Sequence, residues 1–198
     1  KNELNEVSEG LTIASSMSNY VEKTVLYIED NPANLRLVKQ VLELMPNVRM
    51  LGANKPSQGL ELIQTEQPDL ILLDIIMPAP DGYTVCKQLK KQPETQQIPI
   101  IFITSKTDDE EEAEGLRLGA VDYIAKPFKA PIVKARVRTH LEMKSYQDKL
   151  ELRVAERTRE LEIKSKDLQE TNIALNVLLN KKEEVQEEFQ EKMLQENF

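Results

Sequence analysis

From residue 23 onward the apolar positions of the chain follow two alternating rhythms. Val25-Leu26-Tyr27-Ile28 is a short continuous apolar run, stopped by Glu29-Asp30-Asn31-Pro32 and followed by Leu35, Val38, Val41, Leu42 and Met45 at helical spacing. The pattern reads as strand, loop and helix. It recurs as Val48 to Leu51 then Gln58 to Ile63, Leu70 to Leu73 then Tyr83 to Leu89, Ile98 to Ile103 then Glu110 to Leu118, and Val121 to Ala125 before a last helix. Five strand-helix units are expected. Continuous apolar strands are buried on both faces, which predicts an α/β fold in which a parallel sheet lies between two helix layers with right-handed crossovers.

Local punctuation supports these boundaries. Asn31 before Pro32 suits a helix N-cap with proline at the first helical position. Thr107 and Glu110 have the spacing of a capping box, and Gly119 follows Leu118 where a helix should stop. Residues 1–22 are polar, carry Ser8, Ser15, Ser16 and Ser18 without a clear period, and read as a linker or flexible arm. From about Pro131 the last helix continues to the end without another Gly or Pro. A heptad on that tail places Val154, Leu161, Leu168 and Leu175 on one seam, followed by Lys182 and Phe189. The second seam holds Met143, Leu150, Leu178 and Val185, interrupted by Arg157, Lys164 and Thr171 and followed by Lys192, so that it is half polar. A coiled coil of modest stability is expected over 143–198, most simply a parallel homodimer, with a compact domain over 23–142.

Composition narrows the functional classes. The 198 residues include 34 Asp and Glu against 26 Lys and Arg, and the resulting net charge of -8 argues against non-specific binding of nucleic acid or an anionic membrane surface. No apolar run reaches the length of a membrane span, and no basic-then-apolar signal opens the chain. The lone Cys86 excludes an internal disulfide framework and reads as a small buried hydrophobe, in keeping with a reducing cytoplasm. Lys1 in place of Met points to a piece of a longer protein.

Ligands of open parallel sheets sit beyond the carboxyl ends of the strands. There the sequence places Glu29 and Asp30 after strand 1, Asp74 after strand 3, Thr104 and Ser105 after strand 4, and Lys126 before Pro127 after strand 5. Three converging carboxylates repel one another unless a hard divalent cation neutralises them, and Mg²⁺, with Mn²⁺ as a substitute, takes one or two carboxylates together with phosphate oxygens. Lys126 supplies a point charge and Thr104 a hydroxyl for the remaining phosphate oxygens. Asp74, at the tip of the central strand, is then the nucleophile that forms an acyl phosphate. Each residue alone has a bland reading as a turn former, a strand filler or a surface charge. Four strand ends that each supply the required type do not.

Val25-Leu26-Tyr27-Ile28-Glu29-Asp30-Asn31, Leu70-Ile71-Leu72-Leu73-Asp74-Ile75-Ile76-Met77-Pro78, Asp81-Gly82-Tyr83, Ile100-Ile101-Phe102-Ile103-Thr104-Ser105 and Gly119-Ala120-Val121-Asp122-Tyr123-Ile124-Ala125-Lys126-Pro127-Phe128 together resemble the receiver domain of two-component response regulators. The resemblance covers about residues 23–142. It implies a doubly wound (βα)5 sheet of flavodoxin-like order 2-1-3-4-5, with phosphorylation of Asp74 by a sensor histidine kinase or a histidine phosphotransfer protein. By the same resemblance Asp30 is a direct Mg²⁺ ligand, Glu29 acts on the ion from the shell beyond or through water, and Ile76 gives its backbone carbonyl to the metal. Thr104 and Tyr123 become a switch pair, Lys126 binds the phosphate, and a cis bond precedes Pro127. Two departures stand out. Glu29-Asp30 replaces the commoner pair of aspartates, which should change the water around the ion more than the ion's presence, and Ala79 stands where Gly is usual. Arg153 to Leu161 resembles the signalling helix that leads to output domains. His140 lacks the neighbours of a phosphorelay donor and reads as structural. The chain is expected to be a switch that catalyses only its own phosphorylation and slow dephosphorylation. A phosphate-independent docking scaffold and a Mg²⁺-dependent hydrolase are the competing classes; the intact acidic, Thr and Lys set speaks against the first and the lack of a separate acid/base residue against the second.

Overall fold

A computed structural model describes residues 22–105 and 109–195; the expected N-terminal arm, apart from Glu22, and Thr107 of the expected capping box lie outside the described residues. Five strands, β1 (Lys23–Ile28), β2 (Val48–Ala53), β3 (Leu70–Asp74), β4 (Ile100–Thr104) and β5 (Asp122–Ala125), alternate with helices α1 (Pro32–Leu42), α2 (Pro56–Glu66), α3 (Gly82–Lys91), α4 (Asp109–Arg117) and α5 (Ala130–Gln195). All strand pairs are parallel in the order β2-β1-β3-β4-β5. This is the expected flavodoxin-like order.

Successive residues of a strand face opposite sides of the sheet, and the core divides accordingly. Leu26, Ile28, Ile71, Leu73, Ile100 and Phe102 pack on one side with Ile63 of α2 and with Val85, Cys86 and Leu89 of α3. Val25, Tyr27, Leu70, Leu72, Ile101, Ile103 and Ile124 pack on the other with Val38, Val41 and Leu42 of α1 and Val133, Val137 and Leu141 of α5. Each fully buried Leu, Ile or Phe contributes on the order of 1.5–3 kcal/mol over exposure. β2 departs from two-sided burial because it forms the sheet edge, where Arg49 and Gly52 are exposed. The remaining differences from the sequence pattern are shifts of a few residues at element ends, where the last turn of a helix frays easily.

The caps behave as their residue types require. Asn31 accepts from the Ala33 N–H at 2.9 Å with Pro32 in the first turn, and Asp81 accepts from the Thr84 N–H at 2.8 Å to start α3. Gly119, at a φ of 99°, takes the left-handed conformation just after α4. Both Ala79–Pro80 and Lys126–Pro127 are cis.

The chain divides into two compact units, the first ending at Tyr146 and the second beginning at Gln147. In the first, α5 buries the stripe Val133, Val137 and Leu141 at four-residue spacing. In the second, the side chains of residues 149–187 are exposed, among them Val154, Leu161, Leu168 and Leu175 of the expected seam. No helix among the described residues is long and apolar enough to cross a membrane.

Candidate functional site

Parallel register delivers the polar residues to one edge of the sheet. Ile28 pairs with Leu73, Asp74 with Ile103, and Thr104 with Ala125, so Glu29, Asp74, Thr104 and Lys126 emerge together at the carboxyl ends of four adjacent strands. Oxygens of Glu29, Asp30 and Asp74 lie within 4.8 Å of one another. Glu29 and Asp74 are buried and Asp30 is exposed.

Lys126 sits between the two buried carboxylates, its Nζ 2.6 Å from Glu29 Oε2 and 3.0 Å from Asp74 Oδ2. The lysine is placed by its own backbone, whose N–H donates to the Thr104 carbonyl at 2.7 Å. Glu29 also accepts from the Tyr27 hydroxyl, from the Asn31 N–H at 3.2 Å and from Asn34 Nδ2 at 3.0 Å. Asp74 accepts from the Ile76 N–H at 3.3 Å.

The two carboxylates differ in how they hold their charge. Burial pushes Asp74 above the usual carboxylate range and the Glu29 charge adds to the rise, with the Lys126 bond only partly offsetting them. Burial would raise Glu29 as well, but hydrogen bonds from Lys126, Tyr27 and Asn34 outweigh it and hold that carboxyl below its ordinary value. One ammonium therefore serves mainly Glu29, its closer neighbour, and Asp74 is the carboxylate for which ionisation is costly.

This donor set suits a hard cation. Three carboxylates with no nitrogen or sulfur donor among them match the preference of Mg²⁺ for oxygen, and exposed Asp30 leaves an open side for water and phosphate oxygens. The Ile76 N–H is spent on Asp74. Its carbonyl is the group that the resemblance to receiver domains implies for the ion. Thr104 is buried at the end of β4, and Tyr123 of β5 is half-buried against the α2–α3 side of the core.

Two arrangements were not anticipated from sequence. The first is the hold of Tyr27 and Asn34 on Glu29. The second joins β5 to α5: buried Asp122 accepts from Arg136 Nη1 at 2.8 Å on both oxygens, lies 2.9 Å from His140 Nε2, and accepts from the Tyr123 N–H at 2.8 Å. Four-residue spacing of Arg136 and His140 on one helix face was a visible signal, but their acceptor is fixed only by the fold.

Residues 25–138 match the response regulator receiver domain family. The chain belongs to that family. Among curated relatives, it is 41% identical over 133 residues to a probable cyclic di-GMP phosphodiesterase of Vibrio cholerae, a match that takes in 67% of this chain and 30% of that protein. It is 36% identical over 118 residues to the transcriptional regulatory protein AfsQ1 of Streptomyces coelicolor, taking in 60% of this chain and 51% of that one. The chain thus spans about half or less of the length of these relatives. The BeF3-activated N-terminal receiver domain of Klebsiella pneumoniae RstA superposes with a TM-score of 0.56 at 34% identity, covering 60% of this chain and 98% of that one. Receiver domains are signalling domains of two-component systems, and the resemblance drawn from the motifs is to that family.

Proposed function

We propose that Asp74 accepts a phosphoryl group from a phosphohistidine of a sensor histidine kinase or histidine phosphotransfer protein, in a Mg²⁺-dependent reaction. One observation carries the reading: a buried carboxylate at the tip of the central strand shares one lysine with a second buried carboxylate, inside an acidic cluster open to solvent at Asp30. A lone pair of the Asp74 carboxylate forms the new O–P bond while the P–N bond of the donor breaks, and its electron pair leaves on the imidazole nitrogen. Lys126 turns from the carboxylates to a phosphate oxygen, and the Thr104 hydroxyl donates to another. Asp30, Asp74 and the Ile76 carbonyl would hold the cation directly and Glu29 from outside that shell, and the ion, when bound, would neutralise the acidic cluster and the incoming phosphate. Tyr123 follows Thr104 as the second member of the switch pair.

In this reading the chain turns over no substrate but its own acyl phosphate. A phosphohistidine made from ATP places the reaction in the cytoplasm. The product state leaves through α5, where residues 143–198 form a parallel homodimer along the seam of Val154, Leu161, Leu168 and Leu175, and the polar layers at Arg157, Lys164 and Thr171 let it repack on the way to an output module. The net charge of -8 speaks against direct nucleic-acid or membrane binding by this chain.

Incubation with acetyl phosphate and Mg²⁺, followed by intact mass, tests the core of the proposal. The full chain should gain one phosphoryl group and Asp74→Asn none. Equal labelling of the variant refutes the assignment, and an unlabelled wild type favours the docking scaffold.

A further inference from the structure

The sequence departs from the commoner aspartate pair at Glu29, and the surroundings of that side chain explain what the extra methylene does. In a strand, residues two apart share a face, so the Tyr27 ring and the Glu29 carboxylate lie on the same side of the sheet. Tyr27 is fully buried among the α1 and α5 side of the core, and its hydroxyl donates upward to Glu29 Oε2. The same oxygen accepts from Lys126 at 2.6 Å. The other oxygen, Oε1, accepts from the Asn31 N–H and Asn34 Nδ2. A carboxylate offers about four lone-pair sites, and here all of them are used.

Of these donors Lys126 is the one with another task. When it moves to a phosphate oxygen, Tyr27 and Asn34, anchored in β1 and α1, keep their hold, and Glu29 Oε2 regains a single outward site. We propose that Tyr27 is a positioning residue for cation binding: through its hydroxyl it fixes Glu29 as an outer, water-mediated partner of the divalent ion and leaves direct ligation to Asp30 and Asp74. This inference rests on the proposed phosphoacceptor reading. An aspartate at 29 is one methylene too short to remain at the pocket and still reach the Tyr27 hydroxyl, so the effect of Tyr27 depends on glutamate at that position. Asn34, on the other oxygen of the same carboxylate, shares the dependence.

A double-mutant cycle on the full chain tests it, with Mg²⁺ affinity measured by calorimetric titration in the presence of beryllofluoride, which takes the place of the phosphoryl group that draws Lys126 from Glu29, for wild type, Tyr27→Phe, Glu29→Asp and the double variant. Groups that orient metal partners typically hold about 10–100-fold in affinity, and the expected loss for Tyr27→Phe is about tenfold in the Glu29 background. In the Glu29→Asp background the same substitution should change affinity by less than about twofold, an outcome that a general packing defect does not produce. Asn34→Ala, on the half-buried side of α1, should repeat that pattern and provides the readout if Tyr27→Phe impairs folding. Unchanged affinity in Tyr27→Phe, or an equal loss in both backgrounds, overturns the inference. A wild-type chain that binds no Mg²⁺ and takes no phosphate overturns the functional reading beneath it.

Discussion

Gly82, the first residue of α3, separates two effects of opposite sign. Replacing a helical glycine with alanine ordinarily stabilises by roughly 0.5–1 kcal/mol, because the alanine chain has less conformational freedom to lose. Here a Cβ would meet the Asp74 carbonyl oxygen at 2.1 Å and the Ile75 Cα at 2.8 Å. An ordinary C···O approach is about 3.3 Å or more, so the α3 start and the end of β3 must part by roughly 1 Å. Both sides of the clash are backbone, and overpacking that backbone must absorb costs about 1–3 kcal/mol or more. The steric cost outweighs the helix gain. Gly82→Ala should therefore lose about 2 kcal/mol, which at a urea m-value of about 2 kcal/mol/M lowers the midpoint by about 1 M. Because the displaced backbone carries Asp74, phosphorylation by acetyl phosphate should slow by up to about 100-fold. Two other glycines calibrate the result. At Gly59 the Cβ would meet Cδ1 and Cγ1 of the buried Ile28 side chain at 2.4 and 2.7 Å, so that a side chain rather than backbone must give, and at Gly52 the nearest atom is Leu35 Cδ2 at 3.5 Å. Destabilisation should rise from Gly52→Ala, within about 0.5 kcal/mol of wild type, through Gly59→Ala to Gly82→Ala. A Gly82→Ala variant as stable as wild type would refute the steric reasoning.

Other consequences can be checked with equally simple variants. Asp74 has a raised folded-state pKa, so its ionisation opposes folding at neutral pH; Asp74→Asn should raise the urea midpoint of the metal-free protein there. That gain should shrink as pH falls through the raised value and vanish below the ordinary carboxylate pKa of about 3.9, and a gain independent of pH contradicts the linkage. Asp30→Ala should remove Mg²⁺ binding more completely than Glu29→Ala, since the exposed Asp30 is free to ligate directly whereas Glu29 is saturated by protein donors; equal titrations of the two contradict the ordering. Sedimentation should show a dimer of the full chain with and without phosphate, and truncation near Glu142 should leave a receiver that is largely monomeric. A full chain that stays monomeric at tens of micromolar, on the order expected for weak coiled coils, removes the basis for output through the helix.

Those parts of the fold that rest on local pattern were legible in the sequence. Runs such as Leu70 to Leu73 and Ile100 to Ile103 are apolar on both faces because helices cover both, and that alone implies parallel pairing. Once the sheet was inferred, the convergence of Glu29, Asp74, Thr104 and Lys126 followed from where strands end. What escaped was the internal economy of the site. That Lys126 favours Glu29 over Asp74 depends on sub-ångström differences that spacing does not encode. The Tyr27–Glu29 pair did leave a signal, a hydroxyl-bearing ring two residues before a buried acid on the same strand face. The Asp122 cluster left only half of one, since the helix shows two donors and the sheet must supply the acceptor.

The anchoring of Arg136 and His140 on Asp122 bears on how such a chain can be recombined with others. Leu141 is the last residue of α5 buried in the core among the described residues, and the two donors that fasten the helix to β5 lie within the preceding turns. A chimera that joins a foreign tail upstream of Arg136 discards the fastening with the tail it replaces, whereas a junction beyond Tyr146 carries it along intact. The helix that resembles a connector is, over its first four turns, owned by the receiver, and the portable segment starts only after them.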